Sequence, residues 1–197
     1  MGRILQFCQM VMFFFLLGNT VLATSIVEWS IQQGSKTLHL HIDQLSSDAN
    51  LQVVDQKEWI LHQQAIKSSE EVNQMLDLSN LPDGRYHLSV ITAMKEIVQP
   101  VDIKGDQLTL KPYLQQTYFK PILIAHPTYF DISWLSNKLS NFELRILNQS
   151  GEVVFEEKAK GVLRVQRRYR VDFLEPGSYS VQMITPRKNY SEFIHFK

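Results

Sequence analysis

The stretch Asp77-Leu78-Ser79-Asn80-Leu81-Pro82-Asp83-Gly84-Arg85-Tyr86-His87-Leu88-Ser89-Val90 reads as a strand, a Pro-Asp-Gly turn and a second strand opened by a tyrosine. The same pattern returns as Asp172-Phe173-Leu174-Glu175-Pro176-Gly177-Ser178-Tyr179-Ser180-Val181-Gln182-Met183. Gly84 and Gly177 lie 93 residues apart, and so do Tyr86 and Tyr179. A glycine in this setting predicts a turn position with φ > 0. The tyrosine predicts a ring that covers the end of a core while its hydroxyl reaches backbone. Gly84, Tyr86, Gly177 and Tyr179 are therefore read as structural turn residues.

Sliding the chain against itself by 93 places residues 51–104 over 144–197 without a gap. Identical pairs include Leu51/Leu144, Gln56/Gln149, Lys67/Lys160, Val72/Val165, Leu81/Leu174, Thr92/Thr185 and Lys95/Lys188. With a shift of one residue, Leu38, Leu40 and Ile42 fall on Phe130, Ile132 and Trp134. Identity concentrated at turn and apolar positions is the mark of a repeated structural unit.

Each unit divides into short alternating segments. Leu38-His39-Leu40-His41-Ile42 sets leucines and isoleucine on one face and histidines on the other, the pattern of a half-buried strand. Further strands are expected over 26–31, 51–54, 59–63, 72–78, 86–91 and 97–103, and a helix capped at Ser68 or Ser69 is the competing reading of 67–71. Turn signals about every 8–12 residues with no long helical pattern predict an all-β chain of two tandem small Ig-like antiparallel β-sandwiches. The expected divisions are a signal peptide over 1–23, sandwiches over 24–104 and 117–197, and a linker over 105–116, in which Leu108-Thr109-Leu110 offers one short strand. Tyr118 to Ala125 is expected as the first strand of the second unit, with Pro121 marking an edge.

The N-terminus carries one charge, Arg3, then an apolar run centred on Val11–Leu17, then Val21-Leu22-Ala23 with small or β-branched residues at the peptidase positions. This is a secretory signal pattern with cleavage after Ala23. It implies export to the periplasm, cell surface or medium. The only cysteine, Cys8, precedes the apolar run, so stability of the mature chain falls to its cores. Lys+Arg and Asp+Glu are equal at 20 each, which argues against nucleic acid as a partner. No second apolar segment reaches membrane-spanning length.

Leu76-Asp77-Leu78-Ser79 through Val90, and Leu147-Asn148-Gln149-Ser150-Gly151-Glu152-Val153-Val154-Phe155 in the second unit, resemble a recurrent pattern of exported Gram-negative proteins. Two groups share it: small uncharacterised Ig-like sandwich proteins of the cell envelope, and C-terminal sorting domains of the type IX secretion system. The closing Glu192-Phe193-Ile194-His195-Phe196-Lys197 resembles the final strand of a sorting domain. Glu58 replaces the hairpin glycine in the first unit. The resemblance implies a non-enzymatic binding or structural module of the envelope, with a protein or glycan as partner. Sorting by the second unit and a periplasmic chaperone-like role are the alternatives.

The candidate sites lie where the units differ. Arg164, Arg168 and Arg170 form a basic strand face, a surface for an acidic partner or a solvated face paired with Glu156 and Glu157. Tyr113, Tyr118, Phe119, Tyr129 and Phe130 crowd the connection, as a partner surface or as packing between units. His39 and His41 share a strand face but want further ligands, and the reading is no metal. No Gly-x-Ser-x-Gly elbow or phosphate loop occurs, so no catalytic residue and no cofactor are assigned.

Overall fold

A computed structural model describes residues 27–196, apart from 33, 44, 69, 70, 172 and 173. The expected signal segment and its cleavage site at Ala23 lie outside the described residues. The described residues are built almost wholly into antiparallel strands, and these form two tandem Ig-like sandwiches.

The first sandwich begins with β1 (Val27–Ile31) and β2 (Thr37–Ile42), then β3 (Ala49–Val54), β4 (Ile60–Ile66) and β5 (Val72–Asp77). It continues with β6 (Gly84–Thr92), β7 (Lys95–Lys104), β8 (Gln107–Leu110) and, after a 3-10 turn at Pro112–Leu114, β9 (Gln116–Phe119). One layer has the order β1-β2-β5; the other has β4-β3-β6-β7-β8, with β9 also on β7. The segment expected as a linker thus contributes strands to the first sandwich. The strand expected over Tyr118–Ala125 is two strands, because Lys120-Pro121 breaks it: Pro121 has no N–H to donate to a ladder. The 67–71 segment carries no helix among its described residues.

The second sandwich has β10 (Ile122–Ala125), β11 (Tyr129–Leu147), β12 (Val153–Arg170), β13 (Gly177–Ile184) and β14 (Asn189–Phe196). Two of these strands serve both layers. Residues 129–135 of β11 pair with β10 and with 164–170 of β12, whereas residues 143–147 pair with 153–158 of β12 and with β13. Register breaks between Leu135 and Phe142 fold this single sheet onto itself.

Inward residues fill two separate cores. Leu38, Leu40, Ile42, Leu51, Leu88 and Val90 are fully buried in the first, and Phe130, Leu144, Ile146 and Val181 in the second. Burial of each such side chain stabilises by about 1.5–3 kcal/mol. The opening motif closes one end of each core. Tyr86 Oη donates to Pro82 O at 2.8 Å, and Tyr179 Oη donates to Glu175 O at 2.7 Å. The glycines do not take the left-handed turn expected of them. Gly84 is extended at the start of β6, and Gly177, at φ 158°, is nearly so. The chain reverses upstream, where Leu81 N bonds Leu78 O and Leu174 N bonds Val171 O. A Cβ on Gly84 would meet the Tyr86 ring at 3.7 Å, an ordinary van der Waals contact, so neither backbone conformation nor space demands a glycine there.

Candidate partner surface at the junction

The two sandwiches meet around β9. Trp134 Nε1 donates to Phe119 O at 3.2 Å, and Asn137 Nδ2 donates to Thr117 O at 2.9 Å. Both donors come from β11, at the start of its crossing between layers. Lys120 Nζ reaches back to Thr92 O at 2.5 Å, and burial lowers its pKa, with Lys188 adding to the effect.

The turn between β13 and β14 is built by Thr185, whose Oγ1 donates to Lys188 O and accepts from Lys188 N. Thr92 and Lys95 form the same turn in the first sandwich. At the position that Met94 occupies in the first unit, the second projects Arg187 toward its neighbour. Arg187 Nη2 lies 2.8 Å from Glu96 Oε1, and Nε lies 3.4 Å from Oε2. Glu96 is buried on β7 and also accepts from Ser89 Oγ at 3.3 Å. The guanidinium lies 5.2 Å from the Tyr118 ring centre and 3.8 Å from Glu58. The hydrogen bond that Arg187 donates to Glu96 holds its pKa above the ordinary value. Burial lowers the pKa of His87, and the charges of Arg187 and Arg85 lower it further.

Glu58 adopts φ 64°, the left-handed conformation that Gly151 takes at φ 81° in the equivalent hairpin. Such a backbone costs a non-glycine residue about 1–2 kcal/mol. Asp55 Oδ1 fixes this hairpin by accepting from Lys57 N and Trp59 N.

Two clefts flank Arg187. One, of about 310 Å³, is lined by Tyr118, Trp134, Asn137 and Thr185; the other, of about 170 Å³, by His87, Pro100 and Gln116. Both share Glu58, Tyr118 and Arg187. Aromatic faces beside amides and hydroxyls suit polar ligands with an apolar face.

The residues singled out from sequence disperse. Tyr118 lines the junction, whereas Tyr113 is exposed on the 3-10 turn and Phe130 is fully buried in the second core. Arg168 bonds both Asp131 oxygens at 2.8 Å and lies 4.0 Å above the Tyr129 ring, against which His126 also stacks. That pairing holds the Asp131 carboxyl below the usual carboxylate range. Arg164 stands opposite Leu135, and Arg170 opposite Tyr129. Arg167 pairs with Glu157 at 2.9 Å, beside Tyr169, whose phenol is pushed up chiefly by burial. His41 is 2.7 Å from Asp43, and no group of three or more metal-type ligands occurs among the described residues. Sequence reasoning missed Arg187 and Glu96. The signal was present in the repeat, where a cation faces a methionine between two identical Thr and Lys pairs.

No family model matches the chain. No curated protein matches it. Among solved structures it is similar to a two-domain fibronectin type-III segment of chicken tenascin, at 14% identity and TM-score 0.31, covering 86% of this chain and 97% of that one. It is also similar to the BSP domain of a biofilm associated protein, at 10% identity and TM-score 0.29, covering 87% of this chain and 29% of that one. At such scores neither likeness carries an argument, and the fold assignment rests on the strand order above.

Proposed function

We propose that the chain is an exported, non-enzymatic binding or structural module of the bacterial envelope, holding two sandwiches in fixed relation and binding at their junction. The observation that carries this reading is the Arg187–Glu96 pair, which ties the second sandwich to the buried face of the first and frames two clefts. Arg187 and Glu96 are used on each other, leaving aromatic rings, amides and hydroxyls, with Lys138 beside them, to face a partner. A protein segment or glycan fits that lining. The domain division suggested by the strands falls at Lys120-Pro121.

Affinity capture from native envelope, together with glycan-array binding, tests the proposal. The expected result is a protein or glycan ligand whose retention falls about tenfold in Asn137→Ala or Tyr118→Ala, the effect of losing one buried contact. Retention unchanged in both variants would place binding elsewhere. The sorting alternative rests on the resemblance of the closing strand. It predicts an intact mass for secreted material that lacks the second sandwich.

A further inference from the structure

The two sandwiches differ along one flank, where β4 and its equivalent in β12 form the sheet edge. In the second sandwich this strand runs Val153-Val154-Phe155-Glu156-Glu157-Lys158-Ala159-Lys160. Four charges guard it, and it continues without interruption into the opposite layer. Charged side chains on an edge discourage pairing with other chains. The first sandwich has Trp59-Ile60-Leu61-His62-Gln63-Gln64-Ala65-Ile66, with no formal charge at neutral pH when histidine is neutral. Strands β4 and β5 are each the last strand of their layer, so two unpaired backbone edges lie on one side. Trp59, Ile60, Leu61 and Met75 are 70, 55, 46 and 61% exposed there. A bulge between Val53 and Val54 leaves Leu61 without a partner, so that Leu61 and His62 both line a groove of about 310 Å³ with Met75 and Leu78.

We infer that β4 pairs antiparallel with β4 of a second copy of this chain, joining two first sandwiches edge to edge about a twofold axis near Gln63. A twofold interface sets each strand against itself, so a strand with like charges near its centre repels its mate. Strand β4 avoids this, and its equivalent in the second sandwich does not. The flanks add no like-charge contact. About this axis Glu58 comes opposite Ser68 of the other copy, and Lys67, held by Asp48 at 2.8 Å, comes opposite Trp59. Seven strand residues span roughly 23 Å, enough for a continuous ladder. The exposed Trp59–Leu61 run then supplies the apolar contact beside it.

Sedimentation of the purified chain over roughly 1–100 µM, where standard-size interfaces reveal themselves, tests this. The expected result is a concentration-dependent dimer. In the free chain Gln63 makes one exposed side-chain bond, accepting from Gln52 Nε2 at 3.3 Å, so Gln63→Lys should leave the fold intact. It should weaken the dimer by about tenfold or more. Mixing Gln63→Lys with Gln63→Glu protein should restore dimer mass, and Val154→Lys on the second sandwich should change nothing. A chain monomeric throughout the range overturns the inference. So does a dimer indifferent to Gln63→Lys, or a loss that mixing fails to restore.

Discussion

The two sandwiches solve one problem in two ways: how a strand passes from one layer to the other. In the first, the strands stop, β2 at Ile42 and β4 at Ile66, and new ones begin at Ala49 and Val72, and Leu45 between β2 and β3 is buried in the core. In the second, β11 and β12 carry the ladder through, with an outward bulge over 136–139 and a left-handed Gly161 at φ 62°. A shared brace lies beneath the difference. Asp48 Oδ1 accepts from Ser68 N at 3.0 Å, and Asn141 Oδ1 accepts from Gly161 N at 3.2 Å. These positions coincide under the 93-residue offset. The brace fixes where the chain turns, and the residue at its donor end decides whether the strand breaks. Serine sits in a turn and leaves two open edges, whereas glycine lets the strand bend and closes the flank.

The largest expected effect tests whether the cores are equivalent. Leu51 and Leu144 are matched and fully buried, so alanine at either should cost about 2–5 kcal/mol, read by chemical denaturation. Unequal losses well outside that range would break the equivalence. At the crossing, Gly161→Val should cost about 1–2 kcal/mol from its left-handed backbone, whereas Ser68→Val should cost much less. Equal costs would mean that Gly161 does not hold the continuous strand. Replacing Glu58 with the glycine that the second sandwich uses should stabilise the first by about 1 kcal/mol in the same assay. A loss there would show that its contact with Arg187 outweighs its backbone strain.

The smallest effect is on pH dependence. Burial and nearby cations lower the His87 pKa from 6.5, so the unfolded chain takes up a proton before the folded one does. Stability from this group is present above pH 6.5 and is lost as pH falls through the folded value. Ser180 stands at the equivalent position and does not titrate. His87→Gln should therefore flatten the acid side of the melting profile of the first sandwich alone. An unchanged profile would remove His87 from the junction's electrostatics.

Much of this fold was legible because alternation is local. Leu38, Leu40 and Ile42 declared an inward face within one strand, and the overlay of Leu51 on Leu144 carried that reading to the second unit. The role of Gly84 was misread because a Pro-Asp-Gly string suggests where a chain can turn, and here Leu78 to Leu81 turned it first. Strand β8 is foreshadowed by Leu108-Thr109-Leu110, and β9 overlaps the strand expected over Tyr118–Ala125, but their membership of the first sandwich is not legible, because four-residue strands are held by backbone pairing to β7, which leaves little side-chain pattern. The junction was the least legible part. Glu96 and Arg187 lie 91 residues apart, and neither is unusual in its own surroundings. The aromatic cluster was visible as composition, but only tertiary structure sends Phe130 to a core and Tyr118 to a cleft.

The central claim is that the junction makes the two sandwiches one body. Backbone ¹⁵N relaxation measures this directly, through the rotational correlation time of amides in 27–119 against those in 122–196. A single shared time is expected in the wild type. Two shorter times are expected in Glu96→Ala, where Arg187 loses its buried partner at a cost of about 2 kcal/mol to the joint. Distinct times in the wild type, or a shared time that survives Glu96→Ala unchanged, would contradict the claim.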